Sequence, residues 1–455
     1  MAPGAATPDL QRGMNPAGTQ TLANPAYEYS SDSGGSIPFF FIRWSMYALM
    51  PLVIAEGALF QAQMLVLHGR IVANTAVLKA MVIGLLMMGL MIRRRISNAQ
   101  VLGVTLLFAG YSLLECLRMY FSLNMQFIDI IESFNSYYAI LLVAILALMV
   151  PLRIPDRMLI YLLLAVFAIC ALIGLAQFIT GSALIPTQSS DGSFQVNGTV
   201  GVTTIRPFSL FLDAGMFGIL GVVVGALGTA YCLKRNKRWL GVPILLGGMV
   251  VTAISQSRED FPALLGAILS VVFISRWRTR ILKQILPVVW LLLGVVVGFV
   301  AYYLSTTGGV THSVTDTSTF VIRLQNWAYY ISSFTVSDPM GIFFGYGIVE
   351  NHRVSSSASI VPIDNFFLAT ALHIGVVGIV VVILLAWVLW AEVLRAAEET
   401  QSTLSLAVAG SFSTLLCLGM FQPTFEPVAA YYLLFAFSQS AAYRSYPPSE
   451  LAESS

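Results

Sequence analysis

Charge is what this chain carries least of. Asp, Glu, Lys and Arg make up 10% of its 455 residues, against about a quarter in an ordinary soluble domain. With 57% hydrophobic residues and a mean hydropathy of +0.81, a soluble protein is excluded and a polytopic membrane protein is indicated. The net charge of +2 carries no information about partners, because the distribution of charge matters more than its sum. Cysteine is scarce too. Cys116, Cys170, Cys232 and Cys417 lie in apolar runs without CxxC or metal-ligand spacing, so they read as small core hydrophobes. The 4 His are scattered, and the chain lacks a GxGxxG, a P-loop and any internal repeat. No metal or cofactor is expected, and no nucleic-acid partner. Residues 1–36 lack the basic start and apolar middle of a secretory signal. Their Ala, Pro, Gly, Ser, Thr and Asn content predicts a disordered cytoplasmic tail.

Long apolar runs are what the chain has in abundance, and a membrane span needs about 20 residues. Candidate spans are 38–60, 72–92, 100–122, 134–152, 158–180, 206–233, 239–256, 259–275, 284–304, 362–394, 403–421 and 425–443. Counted this way, the clusters Arg93 to Arg95, Arg153 and Arg157, Lys234 to Arg238, Arg276 to Lys283, Arg395 and Arg444 all fall on one side. The positive-inside rule makes that side cytoplasmic, together with both termini. The opposite side holds Arg70, Arg118, Arg206, Arg258, Arg323 and Arg353. The expected organisation is a tail over 1–36, nine helices over 37–304, a large outer loop over 305–361, three helices over 362–443 and a cytoplasmic tail over 444–455.

Polar residues, aromatics, glycines and isolated charges occur together in Thr315–Gly378, within otherwise apolar surroundings. A long polar excursion between spans is where substrates are usually met. Ile322, Trp327, Tyr330, Ile331 and Phe334 recur at helical spacing and predict an interfacial amphipathic helix. Asp338-Pro339 with Gly341, Gly345 and Gly347 then predicts a tight turn with exposed backbone.

Each residue that might carry chemistry also has a plainer reading. Arg206 opens the candidate span over 206–233, where Pro207 suits a first helical turn and leaves N–H groups free to face an anion. Its plainer role is to reach lipid head groups. Asp213 follows two helical turns later, on nearly the same face. Arg258 sits in the run Arg258-Glu259-Asp260 between two spans that read as a hairpin. Ionisable groups there face a cavity or each other, and a local ion pair capping the turn is the alternative. Arg323 and the aromatics Trp327, Tyr329 and Tyr330 either meet a ligand or anchor the loop to lipid. Asp364 is either a helix N-cap or a general base, with His352 and His312 as alternative bases. His373 reads as helix packing. Glu56, Glu115, Asp129 and Glu132 are available to pair with the outer arginines.

Four stretches in order resemble the bacterial O-antigen polymerase and O-antigen ligase superfamily, which includes Wzy-type exopolysaccharide polymerases. They are RPFSLFLDAGMFG (206–218), ISQSREDFPALLGAIL (254–269), RLQNW…DPMGIFFGYGI (323–348) and IDNFFLATALHIGVVG (363–378). The resemblance implies an all-α, GT-C-like fold of about 12 transmembrane helices with a periplasmic loop. It implies a metal-independent glycosyltransferase in the bacterial inner membrane, acting at the periplasmic face. The growing glycan moves from undecaprenyl diphosphate to the non-reducing end of a lipid-linked oligosaccharide repeat. Ligases of the superfamily carry His before the Asn of the last motif; here Asp364 precedes Asn365, which favours a polymerase. Arg206 and Arg258 are then expected on the diphosphate with Arg323 assisting, Asp364 at the acceptor hydroxyl, and Trp327, Tyr330, His352 and Asn365 in substrate binding. The expected partners are the lipid-linked oligosaccharide, the bilayer, and the chain-length regulator and export proteins of the pathway. Rival readings are a ligase, a secondary transporter of about twelve spans, and an envelope sensor or scaffold.

Overall fold

The computed structural model describes residues 37–54, 75–93, 99–122, 126, 127, 130, 131, 139–150, 156–184, 206–211, 214–257, 259–306, 327, 330, 339–346 and 365–419. Among these, 89% are helical and none forms a strand. In lipid no water can satisfy the backbone, so a helix that closes its own hydrogen bonds is the natural outcome for such sequences.

The helices are α1 (Ile37–Ile54), α2 (Thr75–Arg93), α3 (Ala99–Ser122), α4 (Ala139–Met149), α5 (Asp156–Thr180), α6 (Ala214–Leu233), α7 (Arg238–Ile254), α8 (Asp260–Arg276), α9 (Arg280–Gln284), α10 (Leu286–Thr306), α11 (Pro339–Phe344), α12 (Phe366–Thr400) and α13 (Thr403–Leu418). A short 3-10 turn, Arg235–Lys237, joins α6 to α7. A helix stands at every expected span except 425–443, which lies outside the described residues. Among the described residues, five segments are long and apolar enough to cross a membrane: Val101–Ser122, Asp156–Thr180, Ala214–Leu233, Arg235–Ile254 and Phe366–Thr400. The chain is thus an all-α, multi-pass membrane protein. The tails over 1–36 and 444–455 and most of the loop over 305–361 lie outside the described residues.

Helix α6 is the centre. Its best apolar window is 83% buried, against 28% for the windows of α5 and of Arg235–Ile254. A helix apolar on every face belongs inside a bundle, and small residues let neighbouring backbones come close. A Cβ placed on Gly248 of α7 would lie 2.5 Å from the amide nitrogen of Gly225 on α6. Helices α8 and α13 run antiparallel, with Ser413 Oγ 2.9 Å from Ser270 Oγ and Trp290 Nε1 of α10 donating to Ser270 Oγ at 2.8 Å. Trp390 of α12 stacks on Phe412 of α13, their centroids 6.2 Å apart.

The two ends of this bundle differ in charge. Lys283 Nζ meets Glu398 Oε1 at 3.0 Å, and Arg280 approaches the other Glu398 oxygen at 3.7 Å. This joins the basic segment around α9 to the last turn of α12. The α6–α7 connection, with Lys234, Arg235, Lys237 and Arg238, lies at the same end, because α7 and α8 form a hairpin whose tip is the turn over 255–259. This end therefore holds three of the clusters that hydropathy placed together, those over 234–238 and 276–283 and Arg395; Arg94, Arg95, Arg153 and Arg444 lie outside the described residues. The opposite end carries the tip of the α7–α8 hairpin, the start of α12 and the end of α13.

Candidate functional site

At this second end the quoted stretches meet in pairs. The first pair is built on the start of α6. Residues 206–211 are not helical: the span begins at Ala214, so the expected first helical turn at Pro207 is corrected. The two-turn spacing of Arg206 and Asp213 falls with it, and Asp213 lies outside the described residues. The cause is Gln177 of α5. Its Oε1 accepts from the N–H groups of Phe208 (3.1 Å) and Ser209 (2.7 Å), while its Nε2 donates to Ala183 O (2.9 Å) and Ser209 O (3.2 Å). Ser209, at φ 55°, donates its hydroxyl to Cys170 O at 2.6 Å. The backbone groups that a helix start would present to an anion are thus used by α5. Phe208 and Phe211 are buried beneath the turn, and Arg206 is exposed beside it.

The turn between α7 and α8 packs on the same part of α6. Gln256 takes a left-handed conformation at φ 56°, Ser257 N–H bonds Ser255 Oγ at 3.3 Å, and Asp260 N–H bonds Ser257 O at 3.3 Å. Asp260 is fully buried, and a Cβ on Gly218 would lie 1.8 Å from its Oδ2 and 2.8 Å from Ser255 Oγ. The absence of a side chain at Gly218 makes room for the carboxylate. Arg258 lies outside the described residues, but its neighbours Ser257 and Glu259 are placed in this turn, buried and half-buried. The stretch carrying Arg206 and the stretch carrying Arg258 thus flank one end of α6.

The second pair interlocks at a break in α12. Gly375 adopts φ 67° and ψ −174°, which interrupts the helix. Gly345, at φ 75°, lies back to back with it: a Cβ on Gly345 would be 2.4 Å from His373 O, and one on Gly375 2.3 Å from Phe343 O. Tyr346 N–H donates to Leu372 O at 2.7 Å. Only glycine tolerates both the backbone angles and the proximity. Helix α3 closes the junction: Tyr111 Oη donates to Ile374 O at 2.5 Å, and Arg118 Nη2 donates to Phe344 O at 2.9 Å. Arg118 Nε also donates to Glu115 Oε2 at 2.9 Å. Glu115, expected to be available to one of the outer arginines, pairs with Arg118, whereas nothing in the sequence points to the role of Tyr111.

The start of α12 is tied into the bundle by Phe366 N–H, which donates to Gly419 O at 2.8 Å. Asn365 is the N-cap, its side chain accepting from Leu368 N–H at 2.9 Å. The capping role expected of Asp364 thus belongs to its neighbour, and the Oδ1 of Asn365, expected to bind substrate, is engaged within the protein. Along α8 and α13, Gly266 meets Thr414. Asp260 and Gly419 lie six and five residues outward from that contact, about 9 and 8 Å at the helical rise. The hairpin tip and the start of α12 are therefore at the same level. Trp327 and Tyr330 are helical and half-buried. Arg323, His352 and Asp364 lie outside the described residues. No model of a known protein family matches the chain, and a search of curated proteins finds no significant match.

Proposed function

We propose that this chain is a metal-independent membrane glycosyltransferase, a polysaccharide polymerase of the O-antigen polymerase and ligase superfamily, with about twelve spans in a GT-C-like arrangement. The observation that carries the reading is pairwise convergence. Stretches 206–218 and 254–269 meet at Gly218 and Asp260, and stretches 323–348 and 363–378 interlock at Gly345 and Gly375, all at the end opposite the basic cluster. Segments as distant in the chain as those carrying Gly218 and Gly375 share one end of the molecule, and a reaction at that face would account for it.

In this reading the basic end is cytoplasmic and the other faces the periplasm. A sugar hydroxyl of the lipid-linked repeat attacks the anomeric carbon of the growing chain. The bond to the diphosphate oxygen breaks, undecaprenyl diphosphate leaves with the electron pair, and the hydroxyl proton passes to Asp364. Negative charge grows on the leaving group, and arginine, always charged and able to bind two oxygens at once, is suited to receive it. Arg206 and Arg258 take this role with Arg323 assisting. Trp327, Tyr330 and His352 border the sugars. Deleting the gene tests the assignment: loss of a polymerase leaves single repeats on the carrier, whereas loss of a ligase leaves long polymer on it.

The break in α12 is the one observation that favours the rival transporter reading, since transporters bind substrate at interrupted helices. Here the carbonyls of Leu372 and Ile374 accept from Tyr346 and Tyr111, so these two groups serve the fold. A transporter reconstituted in liposomes would move the lipid-linked glycan across the bilayer without lengthening it.

A further inference from the structure

Helix α3 presents Tyr111, Glu115 and Arg118 at spacings of four and three, on one face. Two of the three contact main chain on both sides of the same junction. Tyr111 holds Ile374, just before the break in α12, and Arg118 holds Phe344, just before Gly345. Between them run the Tyr346 to Leu372 hydrogen bond and the back-to-back glycines. Arg118 is half-buried and Glu115 almost wholly so. A charged pair in such surroundings is weak evidence of stabilisation, because desolvation offsets much of the attraction. What it supplies here is direction. Glu115 takes Nε, and Nη2 of the same planar guanidinium donates to the Phe344 carbonyl. Lysine, a point donor, cannot hold both partners in a fixed geometry.

We propose that Arg118 is a positioning residue. It anchors segment Pro339–Tyr346 across the break in α12, and so fixes that segment against the helix piece Phe366–Ile374. That piece follows directly on Asp364 and Asn365 in the chain. The angle at which segment Pro339–Tyr346 meets the first piece of α12 is therefore set from α3, a helix that contributes nothing to the four family-like stretches. The catalytic half of this inference rests on the glycosyltransferase reading; the anchoring half does not.

Two measurements on the full-length protein in lipid nanodiscs test it: amide hydrogen exchange, and lengthening of an undecaprenyl-diphosphate-linked repeat. In Arg118→Gln, peptides covering 339–346 and 366–375 should exchange about tenfold faster or more, the scale of losing a charge-assisted hydrogen bond. Peptides of α6 and α7 should be unchanged, which shows that the bundle is still folded. The turnover number should fall about tenfold while KM for the lipid-linked repeat stays within about twofold, the signature of lost positioning rather than lost binding. Arg118→Lys should recover part of both effects. Unchanged exchange in Arg118→Gln overturns the anchor. Faster exchange with undiminished turnover overturns the positioning role. A wild-type protein that fails to lengthen the repeat instead overturns the glycosyltransferase reading and the catalytic half with it, and exchange alone then decides the anchor.

Discussion

Gln177 brackets Ser209 from both sides: its carbonyl oxygen accepts the Ser209 N–H at 2.7 Å, and its amide nitrogen donates to the Ser209 carbonyl at 3.2 Å. One side chain of α5 thus substitutes for a turn of helix at the approach to α6. Gln177→Ala leaves the buried N–H groups of Phe208 and Ser209 without their acceptor, at a cost of about 1–3 kcal/mol for each group left unsatisfied. Gln177→Glu should also destabilise, because it keeps the acceptor but turns a carboxylate oxygen toward two carbonyls. Thermal unfolding in detergent should show lower midpoints for both variants. Faster hydrogen exchange over 206–211 would locate the damage.

Glycine at 345 and 375 has two separate reasons, and a third position separates them. Gly181 also has a positive φ, 62°, but nothing lies within 4 Å of where its Cβ would stand. Gly181→Ala should cost only the backbone strain of a left-handed residue, about 1–2 kcal/mol. Gly345→Ala and Gly375→Ala add a collision with main chain, so each should destabilise clearly more. Comparing the recovery of monodisperse protein from membranes for the three variants tests this ordering.

Asn365 gives a clean separation of capping from substrate contact. Asp caps a helix as well as Asn and is favoured at the positive end of the helix dipole. Asn365→Asp should therefore keep stability and polymer formation near normal, while Asn365→Ala loses about 1 kcal/mol. If Asn365→Asp abolishes polymer without loss of stability, the amide touches substrate.

Much of the helical architecture is legible in the sequence, because long apolar runs place the helices. The α7–α8 hairpin falls within two residues of its expected limits. What is not legible depends on contacts between distant residues. Pro207 reads as a helix start until Gln177, far upstream, takes the N–H groups that follow it. Asp364 and Asn365 are both good caps, and the choice between them accompanies a hydrogen bond from Phe366 to Gly419. The run His373 to Gly378 looks like uninterrupted apolar helix; the reason for its break, Gly345, is thirty residues earlier. The Glu115–Arg118 pair is visible as a spacing of three on a helix, but its third member is the carbonyl of Phe344, 226 residues from Arg118.

Under the proposed function, Arg206 and Arg258 hold the departing diphosphate. Arg206→Ala and Arg258→Ala, each expressed in cells lacking the wild-type gene, probe this role when polymer is measured alongside the amount of membrane-inserted protein. Insertion should be normal, polymerisation should fall about 10²–10³ for each variant, and single repeats should accumulate on the carrier lipid. Long chains at wild-type levels from either variant would contradict that role.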